Sequence, residues 1–185
     1  KSPEEATEFI KNACLENPDT CFTVYGGDGT VNEVVNGLFI QKVAAPSDIH
    51  LALIAVGTGN DWVRTFGTPL HYAEAIRAIC DGHTFLQDVG AVSYTEAKFS
   101  QTRYVANVAG LGFDAFVITI FNHWKAKGYK GKSLYLASIL QAFFRYKSSG
   151  MRIECDGVEV HDNLLFSLAA GICKYNGGGV QQLPN

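Results

Sequence analysis

The chain has 185 residues, of which 47% are hydrophobic and 12% aromatic, so it can bury a core as one large domain or two small ones. Its formal net charge of −3, with no basic helix rich in aromatic residues, argues against a nucleic-acid partner. The five cysteines form no Cys-x-x-Cys pair, so they predict neither a disulfide framework nor a metal site.

The first half of the chain alternates predicted helices with predicted strands. Periodicity and turn signals predict helices at 3–16, 31–41 and 72–80, with Gly82 ending the last, and strands at 21–25 and 51–56. Such alternation is typical of an α/β domain with a mostly parallel sheet, which we place at residues 1–87. Cys21 and Cys173 lie in apolar runs, which predicts buried thiols in a reducing, cytoplasmic compartment.

The second half is dominated by predicted strands, at 88–94, 103–109, 151–155, 158–161 and 164–172. The pair Asp156-Gly157 between two alternating runs is a strong signal of a two-residue hairpin. A helical interruption is predicted at 116–146. We therefore expect a second, β-rich domain at 88–185 with a helical insertion.

Two features of that insertion have more than one interpretation. An apolar stripe at helical spacing is typical of core packing, with lipid contact as the alternative; it comprises Leu136, Ile139, Leu140, Phe143 and Phe144. Before it lies a basic segment at 124–132, containing Lys125, Lys127, Lys130 and Lys132. This basic segment could contact anionic lipid headgroups or be a solvated loop. No apolar run reaches the roughly 18 residues of a membrane span.

Two apolar runs end in glycines, CFTVYGGDGT at 21–30 and LALIAVGTGND at 51–61. Turns at the carboxyl ends of parallel strands are where open α/β sheets bind ligands. Gly26, Gly27 and Gly29 can adopt positive φ and let amides approach a ligand, next to a helix whose capping box would be Thr30 and Glu33. Amides at the positive end of a helix dipole suit a phosphate.

The turns do not match the commonest phosphate-binding motifs. The first lacks the Gly-Lys-Ser/Thr ending of a P-loop. Asn32 and Trp62 stand where the dinucleotide fingerprint requires its third glycine, which disfavours a hydride-transfer enzyme. Asp28 is unexpected among phosphate-binding amides, because a carboxylate repels phosphate unless it holds a metal, accepts a proton or hydrogen-bonds its own turn.

Three stretches together resemble a known family: GGDGTVNEVVNGL at 26–38, AVGTGNDWVRTFG at 55–67 and NVAGLGFDAFV at 107–117. They are similar to the catalytic domain of the diacylglycerol kinase and sphingosine kinase superfamily, of the bacterial lipid kinase type. The resemblance implies a two-domain kinase, an α/β nucleotide-binding domain followed by a largely antiparallel β-sandwich. It also implies ATP and Mg²⁺, and a lipid substrate met at the inner face of the membrane.

The resemblance also assigns roles to residues. Asp28 is the expected catalytic residue, as base or as organiser of magnesium and phosphate. The expected nucleotide-binding residues are Gly26, Gly27, Asp28, Gly29, Thr30, Val31, Asn32 and Glu33 in the first turn, and Gly57, Thr58, Gly59, Asn60 and Asp61 in the second. The family's acidic magnesium-binding segment and a later glutamate are expected beyond Asn185, and a first strand before Lys1.

Three functions remain open from the sequence. The leading one is an ATP-dependent lipid kinase. The second is a soluble kinase of nicotinamide dinucleotides, whose family shares the GGDGT turn but has a different sequence at the second glycine turn. The third is a nucleotide-binding module without catalysis.

Overall fold

A computed structural model describes residues 3–17, 21–129 and 131–183. They group into two compact units, Lys1–Val108 with Gly171–Asn185, and Ala109–Ala170. Each unit has its own cluster of buried side chains. The hairpin that follows residue 87 groups with the first unit, and the domain boundary expected between 87 and 88 stays a prediction.

The elements alternate at first and then become β-rich. The first part contains α1 (Pro3–Glu16), β1 (Phe22–Gly26), α2 (Asp28–Ile40), β2 (Leu51–Ala55), α3 (Asp61–Phe66) and α4 (Tyr72–Asp81). There follow β3 (Gly90–Glu96), β4 (Phe99–Val105), β5 (Val108–Gly112), α5 (Phe113–Ala126), α6 (Lys132–Arg145), β6 (Ser149–Cys155), β7 (Val158–Leu165), β8 (Ser167–Gly171), β9 (Tyr175–Asn176) and β10 (Val180–Gln181).

The parallel pair β1–β2 organises the first unit. Its register runs from Phe22 opposite Leu51 to Gly26 opposite Ala55, so both strands end at the same edge. The glycine turns that follow them are therefore neighbours. β1 buries alternate residues only, and Tyr25 is 68% exposed, so this strand is covered on one face.

Helix α2 begins earlier than the capping box predicts. Its first residue is Asp28 and its N-cap is Gly27, which has no side chain to cap with. Thr30 lies within the first turn, and Glu33 accepts hydrogen bonds from Thr7 and Arg103 instead of reaching back to the helix start. The capping box is therefore wrong, because the helix begins two residues before Thr30 and Glu33 is bound to neighbouring elements.

The other face of α2 is fixed to β4 by side-chain amides. Asn36, only 1% exposed, accepts from the backbone N–H of Tyr104 and donates to its carbonyl, at 2.9 and 2.8 Å. Asn32 Oδ1 accepts from the N–H of Ala106 at 3.1 Å. The helix thus satisfies the edge of β4 as a neighbouring strand would. The strand predicted at 103–109 is two strands, β4 and β5, and Ala106 lies in the break between them.

The second unit contains the helical insertion. The predicted helix at 116–146 is two helices, α5 and α6, because the chain breaks at Gly128 and Gly131, whose φ angles are 93° and 107°. The predicted hairpin at Asp156-Gly157 is confirmed: both residues have positive φ and join the antiparallel pair β6–β7. β5 pairs with β8.

Burial of the cysteines differs in part from expectation. Cys173 is buried as predicted, and Cys14 is buried with it. Cys21 is exposed, because it precedes β1 and lies outside the alternating positions that the strand buries.

Removal of the Asn36 carboxamide will loosen the attachment of β4 to α2. Asn36→Ala leaves the N–H and carbonyl of Tyr104 without their partner, and we expect it to lower the free energy of unfolding by about 1–3 kcal/mol. Asn122→Ala on α5, an exposed helical asparagine, is the matched control and should change it by less than about 0.5 kcal/mol. Urea denaturation of both variants measures the difference, and equal stabilities would contradict the bridging role.

Candidate functional site

The two predicted glycine turns are in backbone contact. A Cβ added to Gly57 would lie 2.6 Å from the Cα of Gly27, and one added to Gly27 would lie 2.9 Å from the Cα of Gly57. Gly26 is confined in the same sense, since its Cβ would lie 2.5 Å from that of Thr30. None of these glycines, nor Gly29, has a positive φ. Close approach, and not the positive φ that the sequence analysis expected, therefore requires glycine at Gly26, Gly27 and Gly57, whereas Gly29 has room for a side chain.

The first turn presents free amides at the start of α2. Gly27 O accepts from the N–H groups of Thr30 and Val31, at 3.0 and 3.1 Å. The amides of Asp28 and Gly29 precede these in the helix and have no acceptor within it. Gly29 also has open space around it. An anion bound at this point would meet two unsatisfied donors at the positive end of a helix dipole of thirteen residues.

Asp28 joins the first turn to α3. Its Oδ1 accepts from the backbone N–H of Trp62 at 2.8 Å, so the carboxylate caps a neighbouring helix and not its own turn. Its Oδ2 lies beside Gly59, 3.0 Å from the position that a Cβ would occupy there. No described residue donates a hydrogen bond to this oxygen. One carboxylate oxygen thus has a structural role, and the other is left for a ligand or a proton.

A third glycine turn, which the sequence analysis missed, lies against the second turn and the start of α3. Gly177, Gly178 and Gly179 have φ angles of 68°, 90° and 103°, which L side chains rarely adopt. The amides of Gly178 and Gly179 donate to the carboxylate of Asp61 at 2.8 and 2.6 Å. Three successive glycines were the signal in the sequence that could have identified this turn.

Asp61, although expected to bind nucleotide, is 4% exposed and uses both carboxylate oxygens on the third turn. Thr30 and Thr58 are exposed at the first two turns. Asn60 has a left-handed backbone, and its Nδ2 donates to Gly57 O at 2.9 Å. Its Oδ1 is buried near Gly27 without a partner among the described residues. The structure therefore brings the residues of the second turn against the first.

The remaining residues of the first turn face away from the free amides. Val31 is 1% exposed and belongs to the core. Asn32 accepts from the N–H of Ala106, just after β4, and Glu33 accepts from Arg103 within β4. Each of these three side chains is already engaged in packing or hydrogen bonding. The nucleotide-binding roles expected of them stay predictions.

Behind the turns lies a neutral thiol. Burial raises the pKa of Cys173 to about 11; a hydrogen bond involving Thr65 lowers it, and the negative charge of Asp28 raises it further. The thiol donates to the carbonyl of Ala106 at 3.4 Å. At neutral pH Cys173 is therefore protonated, and it serves as packing and not as a nucleophile.

No group of three or more His, Cys, Asp or Glu that could hold a metal ion occurs among the described residues. A magnesium ion of the kind that kinases use needs only one or two carboxylates, because phosphates and water complete its six oxygen ligands. Asp28 Oδ2 supplies one such oxygen. The described turns therefore fit a magnesium ion whose other ligands are phosphates and water.

The chain is similar to kinases over most of its length. Residues 1–92 match the model of the family described as "Diacylglycerol kinase catalytic domain". Diacylglycerol kinases of Staphylococcus epidermidis and Staphylococcus aureus are each 32% identical, over 82% and 89% of this chain and 46% and 48% of their own. A crystal structure of a diacylglycerol kinase from Bacillus anthracis matches all of this chain and 55% of its own, with TM-score 0.63 and 29% identity. The chain spans about half the length of these relatives.

The contact between the turns makes Gly57 intolerant of a side chain. Gly57→Ala will push the turns apart, and we expect a loss of about 1–3 kcal/mol in the free energy of unfolding. Gly29→Ala is the control within the same site: it has room and an ordinary helical φ, so it should be neutral or stabilising by up to about 1 kcal/mol. Urea denaturation distinguishes them, and equal losses would contradict the steric account.

Proposed function

The chain belongs to the family of the diacylglycerol kinase catalytic domain, and from that membership we propose that it forms the ATP site of a lipid kinase. The reaction transfers the γ-phosphoryl group of ATP to a lipid hydroxyl. The observation that carries the proposal is the position of Asp28, whose carboxylate lies where the two glycine turns meet, beside unsatisfied helix amides.

The geometry supports phosphoryl transfer more than other chemistry. In such a transfer the lipid oxygen forms a bond to the γ-phosphorus, the bond from that phosphorus to the β-γ bridging oxygen breaks, and the hydroxyl proton is lost. Positioning and charge neutralisation dominate catalysis of this kind. The amides of Asp28 and Gly29 would bind phosphate oxygens, and the free Oδ2 of Asp28 would accept the hydroxyl proton.

The alternative role of Asp28 Oδ2 is to hold a magnesium ion together with the phosphates, since one carboxylate oxygen cannot bind the ion and accept the proton at the same time. Such an ion neutralises charge on the β- and γ-phosphates during transfer. Thr58 is exposed on the second turn, which lies against the first turn at the same edge of the sheet, and it would contact the nucleotide from there.

The other two functions are less well supported. The relatives reported above are diacylglycerol kinases by name, which favours a lipid acceptor over a nicotinamide dinucleotide. A non-catalytic module would need the turns but not the free oxygen of Asp28. We propose a cytoplasmic enzyme with a β-sandwich second domain, and the experiments below separate these functions.

A lipid substrate requires a surface that meets the membrane. No helix among the described residues is long and apolar enough to cross a bilayer. The apolar stripe of α6, expected to pack in a core, is instead largely exposed; Leu136 is 60%, Leu140 56%, Phe143 65% and Phe144 83% exposed. We propose that this stripe contacts lipid, because a bilayer would cover side chains that the described unit does not.

The basic segment supports the same orientation. Lys125 lies in the last turn of α5, and Nζ of Lys127 lies 5.1 Å from the centre of the Trp124 ring, so two cations stand at this end of the helix. Lys130 and the side chain of Lys132 lie outside the described residues. Cations beside an exposed apolar face are typical of peripheral binding to anionic lipid.

Neutralising the carboxylate of Asp28 tests the catalytic proposal. Asp28→Asn keeps an oxygen for the Trp62 amide but removes the charge, so we expect an intact fold and no phosphoryl transfer above background. The assay gives the full-length protein Mg²⁺, γ-labelled ATP, a lipid extract and nicotinamide dinucleotide, and partitions the label between organic and aqueous phases. Asp81→Asn, at the exposed end of α4, is the matched control.

The phase that holds the label identifies the function. Organic label that disappears in Asp28→Asn supports the lipid kinase. Aqueous label in a phosphorylated dinucleotide supports the alternative kinase, and ATP binding without any transfer supports a module. Near-normal turnover by Asp28→Asn would remove Asp28 from the mechanism.

Neutral replacement of the two described lysines tests the membrane contact. Lys125→Gln with Lys127→Gln should reduce binding to vesicles containing anionic lipid by about tenfold or more, since each surface cation contributes about 1 kcal/mol there. Lys11→Gln with Lys42→Gln, on the first unit, is the control with the same charge change. Flotation measures the bound fraction, and equal flotation of both variants would mean that the segment is a solvated surface.

A further inference from the structure

Arg64 is a cation at the glycine turns that neither the sequence analysis nor the family match assigns. It lies in the last turn of α3, and its Nε donates to the carbonyl of Gly59 at 3.4 Å. Its guanidinium carbon lies 3.5 Å from the position that a Cβ on Gly179 would occupy. The second and third glycine turns therefore hold this side chain between them.

The guanidinium has no carboxylate partner among the described residues. Both oxygens of nearby Asp61 are occupied by the amides of Gly178 and Gly179. Arg64 is exposed, so the N–H groups other than that of Nε are open to solvent beside the second and third turns. An arginine that is positioned by backbone but unpaired in charge is suited to bind an anion, because its planar fork matches phosphate oxygens.

The turn that supports Arg64 depends on Asp61. Fixing three successive glycines at positive φ costs conformational entropy, because glycine is the most flexible residue in the unfolded chain. Specific hydrogen bonds are therefore needed to keep the turn in place. Asp61 supplies two short bonds to successive amides, from a buried position. A carboxylate in this role acts through the turn and does not touch the ligand.

We propose that Arg64 binds the β- and γ-phosphates of ATP and neutralises the charge that develops during transfer, and that Asp61 is its positioning residue. This inference rests on the proposed function, since it requires a polyphosphate at the same turns. It adds the cation that the two predicted turns lack, as their own ligand-facing groups are amides, hydroxyls and one carboxylate oxygen.

The experiment compares nucleotides that differ in phosphate number. Calorimetric titration of the full-length protein with ATP, ADP and AMP in Mg²⁺ should show that Arg64→Gln weakens ATP binding about tenfold or more, as expected for a lost hydrogen bond to a charged group. Binding of AMP should change little. Arg77→Gln, an exposed arginine on α4, is the control and should bind all three as the unmodified protein does.

The role of Asp61 is tested by a matched pair of glycine variants and by substitution of Asp61 with asparagine. Gly179→Ala and Gly82→Ala both put alanine at positive φ, 103° and 69°, but only the first lies against Arg64. We expect only Gly179→Ala to weaken ATP binding. Asp61→Asn should weaken ATP binding as Arg64→Gln does, and in the doubly substituted protein the two losses should not add, because both act through Arg64.

The outcomes separate this inference from the function on which it rests. If the unmodified protein binds no ATP, both are overturned. If it binds ATP and Asp28→Asn abolishes transfer while Arg64→Gln leaves ATP affinity and turnover unchanged, only the role of Arg64 is overturned. If Arg64→Gln weakens AMP as much as ATP, its contact is with the nucleoside or with the fold, which also contradicts the proposal. Additive losses in the Asp61 and Arg64 pair would overturn the positioning role.

Discussion

The backbone contact between Gly27 and Gly57 is the constraint on which the candidate site depends. Parallel pairing brings the ends of β1 and β2 to one edge, but only residues without Cβ let the turns beyond them touch. The contact sets the distance at which Asp28 reaches the N–H of Trp62, and hence the place where α3 begins. From α3 project Asp61 and Arg64, which engage the third turn. One steric requirement thus fixes the geometry of three glycine turns.

Much of this could be read from the sequence, because the informative patterns are local. Apolar runs ending in glycines predicted β1 and β2 and the turns after them, and Asp156-Gly157 predicted a hairpin from turn chemistry alone. Long helices were found by their periodicity. The resemblance to a kinase family, carried by the wording of two turns, agrees with the family match over residues 1–92.

What the sequence could not predict depends on partners distant in the chain. Asn36 reads as an ordinary helical polar residue, yet it satisfies Tyr104, sixty-eight positions away. The hairpin at Ala97 and Lys98 uses positive φ at residues that carry no turn signal. The stripe of α6 has the periodicity of a buried face but is exposed, because periodicity reports that a face is apolar and not what covers it.

Most of the carboxylate oxygens near the glycine turns are bound by hydrogen-bond donors. Asp61 binds two amides, Glu33 binds Thr7 and Arg103, and one oxygen of Asp28 binds the N–H of Trp62. Each of these contacts places a hydrogen-bond donor against a carboxylate and weakens the negative field around the glycine turns. Among these carboxylates, only Asp28 Oδ2 has no donor within the described part of the chain. The site therefore keeps one free carboxylate oxygen, which can bind a proton or a metal ion. The other carboxylate oxygens accept hydrogen bonds that hold the turns and their neighbouring elements together.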